Sequence, residues 1–337
     1  MPGEVKLTPK AAEKVAREAA RHSFDEAARS LSIDWGRELD GKQVQRWAQA
    51  IGRQVLQRQQ KQLAAMEQGQ LPACKRNQTA LLVIGMDGGR VQTREKDPDS
   101  GSRWREDKVL TVSSCLLGTQ GQPPQKLVTT RVATMGDVRE FGRLCRLEAE
   151  RRGIRQAEQV VVIGDGGGWI DSIAGEQFPR QLRIIDFFHA SERLYECARA
   201  VLGGVSPRAK AQGEYLSKLL RRGKLEEVLR QIQQWSQSVG PPQPADPPDA
   251  PRRVLAGNVG YFQRHGDQMD YPRYRRKGYP IGSGITESGV KQFNKRVKGT
   301  EQFWNKRDVE PILALRGLWI SEDQRWQDYW LCRPSLN

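Results

Sequence analysis

Apolar residues recur at helical spacing from Pro9 to Met66 and then switch to the two-residue period of strands. Pro9 to His22 predicts a helix capped by Thr8, with proline at its first position. Ser23 to Leu31 predicts a second helix, with Ser23 as cap and Glu26 three residues on, the spacing of a capping box. Asp40 to Met66 predicts a long third helix, in which Val44, Trp47, Ala48, Ile51 and Val55 share a face. Three helices with a short turn before the last fit a helix-turn-helix, and equally a small bundle with no DNA role. Lys42, Gln43 and Arg46 on the third helix are the candidates for reading bases.

From Thr79 the chain becomes β-rich. "TALLVIGMD" is the first predicted strand, and Lys108–Leu117 and Lys126–Thr134 extend it into an antiparallel meander. Gly136–Gly153 predicts a helix that begins near an Asp cap. "QVVVIGD" follows as a fourth strand, and a strand-helix-strand crossover requires it to run parallel to an earlier strand. A short helix at "WIDSIAGEQF" leads to a fifth strand, Gln181–His189. The order β-β-β-α-β-α-β predicts an α/β chain with an RNase H-like core: a mixed five-stranded sheet whose first and fourth strands lie side by side. Ala190–Gly240 is almost wholly helical in pattern. Gly240–Pro251 holds six of the eighteen prolines and predicts a stiff loop. A further helix, a basic run and a helix starting near Ser283 complete the chain.

Two of these strands carry the same ending. "LLVIGMDGGR" and "VVVIGDGGGWI" each drive Val, Ile and Leu through a core and stop at Asp-Gly-Gly. On the predicted strand order Asp87 and Asp165 become neighbours. Two adjacent carboxylates repel, and a divalent cation removes the conflict. The glycines that follow keep bulk away, leaving room for a metal and a phosphate. Taken singly, Asp-Gly after a strand is a turn signal; the pairing of the two is what suggests a metal. A dinucleotide fold fails on register, because Trp169 stands where Gly164 and Gly166 require a third glycine. On the helix at Gly282–Gly299, Glu287 heads a stripe of Lys291, Lys295 and Lys298, while Val290, Phe293 and Val297 share another face. Either this is a solvated face with one Glu-Lys pair, or Glu287 is a third metal ligand with lysines that track phosphates.

Charge bears on the partners. The chain of 337 residues carries a net charge of +15, and Tyr271–Arg307 holds ten Lys or Arg against Glu287 and Glu301. Ten minus two places eight of those charges in one segment, which suggests a polyanion footprint. Arg275, Arg276, Lys277, Lys291, Lys295, Arg296 and Lys298 are its candidate phosphate contacts. Trp304 is either a base-stacking aromatic or a core residue. The five cysteines (Cys74, Cys115, Cys145, Cys197 and Cys332) form no CxxC pair, so a structural zinc site is not expected. Scattered thiols fit a reducing compartment. No apolar run approaches the roughly 20 residues of a membrane helix, and "MPGEVKLTPK" has no signal-peptide core. The expected location is cytoplasmic, associated with the nucleoid, with no membrane partner.

Asp87, "GDGGGWI", "DFFHASERL", "YPIGSGITESGVKQFNKRVKG" and "LALRGLWISEDQRWQDYW", in that order, resemble the DDE transposases of Kra-type insertion sequences, relatives of the Mutator-like transposases. The likeness covers nearly the whole chain and departs from the family pattern around Gly289, Val290 and residues 300–303. It implies a catalytic triad of Asp87, Asp165 and Glu287 holding two Mg²⁺ or Mn²⁺ ions. It also implies an Asp-x-x-His signature at Asp186 and His189, with Asp186 supporting the site and His189 near the scissile phosphate. A structural histidine at a strand end is the other reading of His189. The implied organisation is a helical DNA-binding domain at 1–72, RNase H-like segments at 79–189 and 271–337, and an all-helical insertion at 190–270. The implied partners are double-stranded DNA, as transposon terminal inverted repeats and target, and a second copy of the chain or more when assembled on DNA. An RNase H-like nuclease without strand joining, and a non-catalytic DNA-binding derivative, are the rival functions.

Overall fold

The computed structural model describes residues 7–72, 79–98, 100–119, 121–299 and 302–332. Cys74, and Thr300 and Glu301 of the divergent stretch, lie outside the described residues. Three helices come first: α1 (Pro9–Arg21), α2 (Phe24–Trp35) and α3 (Gly41–Glu67). The caps of the first two are those expected, and Asp40 caps the third. Thr8 Oγ1 accepts from the Ala11 amide, Ser23 and Glu26 form a reciprocal capping box, and Asp40 accepts from the Gln43 amide.

The sheet comprises β1 (Leu81–Gln92), β2 (Trp104–Leu116), β3 (Gln125–Thr134), β4 (Gln159–Gly164) and β5 (Leu182–Ile185). Its spatial order is β3-β2-β1-β4-β5. The first three strands are antiparallel, while β4 runs parallel to β1 and β5 parallel to β4. This is the mixed five-stranded sheet of an RNase H-like fold. The crossover helices are α4 (Val138–Arg151), capped by Asp137, and α5 (Gly168–Gln177).

Two predicted strand ends are corrected. β1 does not stop at Asp87 but continues to Gln92, because β2 remains paired with it past that point, Asp87 opposite Val109 and Gln92 opposite Trp104. Only its pairing with β4 ends early, at Gly85–Ile163. The fifth strand ends at Ile185 rather than His189. Asp186 instead caps α6 (Phe187–Leu202), its Oδ1 accepting from the amides of Phe188 (2.6 Å) and His189 (3.0 Å).

Helices α7 (Pro207–Arg221), α8 (Leu225–Val239), α9 (Pro251–His265) and α10 (Tyr271–Arg276) follow, then α11 (Gly284–Val297), α12 (Lys306–Ile320) and α13 (Arg325–Leu331). Alternation along β1 sorts its side chains between layers. Leu82, Ile84 and Met86 enter a core with α4 and α5, whereas Leu81 and Val83 enter one with α6–α10. Each such buried side chain contributes about 1.5–3 kcal/mol, so a one-residue slip of β1 would be prohibitive. The N-terminal helices share a third apolar cluster with α11, α12 and α13.

Candidate active site

The register of the two central strands sets the site. Pairing runs from Leu81–Gln159 to Gly85–Ile163, and continuing it by two residues puts Asp87 opposite Asp165. Asp87 lies on the same face of β1 as Gly85, and α11 packs on that face. A Cβ at Gly85 would land on Thr286 Oγ1, so only glycine admits this approach. Thr286 is buried, with its hydroxyl 2.8 Å from that of Thr111 on β2. Glu287 is the next residue and belongs to the first turn of α11. A glycine in β1 thus determines how near Glu287 comes to Asp87.

The charges register this convergence. Burial pushes the Asp87 carboxyl above its usual value, and Asp165 and Glu287 push it further; the Gly88 amide and His189 oppose them. Asp186, His189 and Glu287 offer ligand atoms within 4.8 Å of one another. The structure thus gathers Asp186, His189 and Glu287, and holds Asp87 within electrostatic reach of Asp165, His189 and Glu287. Among the described residues, none of the four carboxylates is ion-paired with a lysine or arginine. Converging carboxylates with no cation between them fit a divalent metal.

The carboxylates differ in what they already hold. Asp186 is fully buried, and both its oxygens accept backbone amides: Phe188 and His189 on one, Ser283 on the other. That last bond ties the start of α6 to the cap of α11, so Asp186 braces the site. Asp165 is only half-buried and accepts one amide, from Gly167 at 2.8 Å. Tyr261 on α9 donates its hydroxyl to the Asp165 carbonyl at 2.9 Å. Its ring packs over Gly166, whose φ of +85° turns the chain away. The distances alone single out Asp186; the unspent lone pairs and the exposure favour Asp165 as the ligand. His189 is one-third exposed, with Nδ1 3.7 Å from Glu192.

Two members of the expected DNA-contacting set are inside the protein. Arg296 is 2% exposed; its Nε donates to the Ala19 carbonyl and its guanidinium lies over the rings of Phe24 and Trp304. Trp304 is 6% exposed and donates its indole N–H to the Val297 carbonyl at 2.8 Å. One turn of α11 explains both, since position 296 falls beside Phe293 and Val297 and faces α1. Lys291, Lys295 and Lys298 are exposed along the opposite side, as are Arg275, Arg276 and Lys277 on and after α10. Lys42 and Arg46 are exposed on the first turns of α3, with Gln43 half-buried.

One acid escaped the sequence reading. Asp107 on β2 is opposite Gly89, on the face that carries Asp87. It is fully buried, and neither carboxylate oxygen has a hydrogen-bond partner among the described residues. Burial, with Glu106, Glu310 and Asp87 nearby, pushes its carboxyl up to about 6. Its only sequence signal was the two-residue spacing to Val109 and Thr111.

No helix among the described residues is long and apolar enough to cross a membrane. No protein-family model matches the chain, and no curated protein does. Among solved structures the chain is similar to the Drosophila P element transposase in its strand transfer complex, with 9% sequence identity and a TM-score of 0.41, over 96% of this chain and 94% of that one. The likeness is loose, and the geometry of the site stands without it.

Proposed function

We propose that the protein is a DDE transposase of the Kra-type insertion-sequence family, cutting transposon ends and joining the freed 3′-hydroxyl to target DNA. The observation that supports this reading is that Asp87 on β1 feels the charges of Asp165, just past β4, and of Glu287 on α11, with no lysine or arginine paired to them among the described residues. These three residues would hold Mg²⁺ or Mn²⁺, the metals suited to all-oxygen ligands that keep waters for substrate. Such ions supply charge neutralisation at the phosphate and lower the pKa of a bound water.

The chain's own residues do the rest. Asp186 holds α6 against α11, so that His189 and Glu287 stay in register with the sheet. Tyr261 fixes the backbone at Asp165 and so orients that carboxylate. In this reading His189 gives a proton to the departing 3′-oxygen as water bonds to phosphorus and the P–O3′ bond breaks. In the joining step the same 3′-hydroxyl gives up its proton to His189 and bonds to a target phosphorus, while the target P–O3′ bond breaks and its 3′-oxygen leaves. Arg275, Arg276, Lys277, Lys291, Lys295 and Lys298 contact phosphates, and Lys42, Gln43 and Arg46 read the terminal repeats. In this reading α1–α3 form a DNA-binding domain, residues 190–270 an insertion in the catalytic core, and two or more copies pair the two ends.

The test is cleavage and joining on labelled duplexes taken from the element's flanks, with Mg²⁺ or Mn²⁺, for wild type, Asp87→Asn, Asp165→Asn, Asp186→Asn and Glu287→Gln. Loss of both products in the Asp87, Asp165 and Glu287 variants, with DNA binding retained, is the expected result. Cutting without joining in the wild type would make the protein a nuclease. Activity surviving in Asp165→Asn but lost in Asp186→Asn would move the second ligand.

A further inference from the structure

Burial of Trp304 leaves its neighbour on the outside. Phe303 is 39% exposed, and Trp104, which opens β2, is 38% exposed. Both are held firmly. The Trp304 amide donates to the Gln92 carbonyl at 3.0 Å, and the Arg94 amide donates to the Trp304 carbonyl at 2.9 Å. This short parallel pairing extends β1 past its end and alternates Trp304 inward with Phe303 outward. The Arg103 guanidinium donates to the Arg94 carbonyl at 2.7 Å and lies 5.9 Å from the Phe303 ring centre. Lys298 Nζ lies 5.1 Å from the ring centre of Trp104.

The surroundings are cationic. Arg90, Arg94, Lys96, Arg103 and Lys298 are exposed here, against Glu95 and Glu106; Asp97 is engaged by Arg105. The patch also continues a line from the carboxylate cluster. Glu287, Lys291, Lys295 and Lys298 follow one side of α11, and the eleven-residue step from Glu287 to Lys298 spans about 16 Å. A single strand of a few nucleotides covers that distance. Partly exposed rings, each with a cation over it, match unpaired bases, because bases within a duplex already have both faces stacked.

We propose that Trp104 and Phe303 form a stacking platform for an unpaired DNA strand that leaves the carboxylate cluster along Lys291, Lys295 and Lys298. The origin of that strand at a cleaved or melted DNA end rests on the proposed function; the binding itself does not.

Binding is measured by fluorescence anisotropy in EDTA, using the full chain with a blunt duplex and with the same duplex bearing a short oligo-dT overhang on either end. The wild type should prefer one overhang. Trp104→Leu and Phe303→Leu, which keep an apolar side chain but lose the π face, should each weaken overhang binding about fivefold or more and leave blunt-duplex binding unchanged. Trp104→Tyr should retain the preference. No overhang preference in the wild type, a preference intact in both Leu variants, or an equal loss on blunt and overhang DNA would each overturn the platform. A protein that prefers the overhang yet cuts nothing in Mg²⁺ would keep the platform and remove the transposase reading.

Discussion

Thr286 on α11 and Thr111 on β2 meet hydroxyl to hydroxyl at 2.8 Å, directly over the missing side chain of Gly85. This contact fixes the depth of α11 on the sheet. Gly85→Ala would place a methyl where Thr286 Oγ1 now sits and lift the first turn of α11, including Glu287. Overpacking of this kind costs about 1–3 kcal/mol. An ångström of misplacement at the reacting centre costs about a hundredfold in rate. The expected outcome is a folded protein with cleavage down about a hundredfold, partly restored in Gly85→Ala/Thr286→Ala, where the displaced atoms are gone. Equal cleavage by Gly85→Ala and wild type would show that Glu287 does not depend on this contact.

The acidic cluster should behave as a repulsive site that a metal relieves. Asp87 is raised by burial and by Asp165 and Glu287. A carboxyl raised on folding binds more protons in the native state, so metal-free stability falls as pH climbs from the unfolded value towards the raised one. Above the raised value that cost is fully present. Asp87→Asn removes it and should therefore melt higher than wild type in EDTA. Mg²⁺ or Mn²⁺ should raise the wild-type Tm, by about 2.7 kcal/mol of stability at a hundred times Kd, and should hardly move the variant. A variant that melts lower in EDTA and still responds to metal would remove Asp87 from the ligand set.

Asp107 supplies a second pH dependence. Its carboxyl moves from an ordinary value of 3.8 to about 6 because it is buried without a hydrogen-bond partner. Between those values the folded protein holds a proton that the unfolded chain has released. Stability should fall by about 3 kcal/mol as pH rises through that window and stay reduced above it. Asp107→Asn should flatten the curve and stabilise the protein at pH 8, as read by urea unfolding across pH. A variant with the wild-type slope would place the titration elsewhere.

Much of the site was legible because strand order is a topological matter. Once a helix separates the meander from "QVVVIGD", parallel pairing beside the first strand follows, and Asp87 and Asp165 are brought together by arithmetic on the register. The helix caps at Thr8, Ser23 and Asp137 were legible for a similar reason, since each satisfies amides only a few residues away. Strand ends were not. β1 runs on through Asp87 because β2 pairs with it there, and no local signal in "MDGGR" announces a partner that distant. Asp186 read as part of a strand because "RIIDFF" is apolar on both sides; its role as a cap depends on amides that exist only once α6 forms. Tyr261, far along the chain, gave no sign that it would brace Asp165. Lys291, Lys295 and Lys298 are exposed along α11, but periodicity on one helix could not say that α1 would cover Arg296.

That last distinction gives the sharpest test of the basic segment. Each phosphate neutralised by a lysine adds about 0.9 to the slope of log affinity against log salt for duplex DNA. Lys291→Ala and Lys295→Ala should each weaken duplex binding across sequences and reduce the slope by about one, with little change in Tm. Arg296 differs because its charge is spent inside the protein, on the Ala19 carbonyl and the rings of Phe24 and Trp304. Arg296→Ala leaves a void beside those rings and an unanswered carbonyl at Ala19. It should lower Tm by several degrees while the salt slope of the remaining folded protein stays at the wild-type value. A reduced slope with unchanged Tm would mean that α1 swings away on DNA and lets Arg296 out. Salt titrations of the three variants, beside their melting curves, separate a charge that faces DNA from one that holds the N-terminal helices to α11.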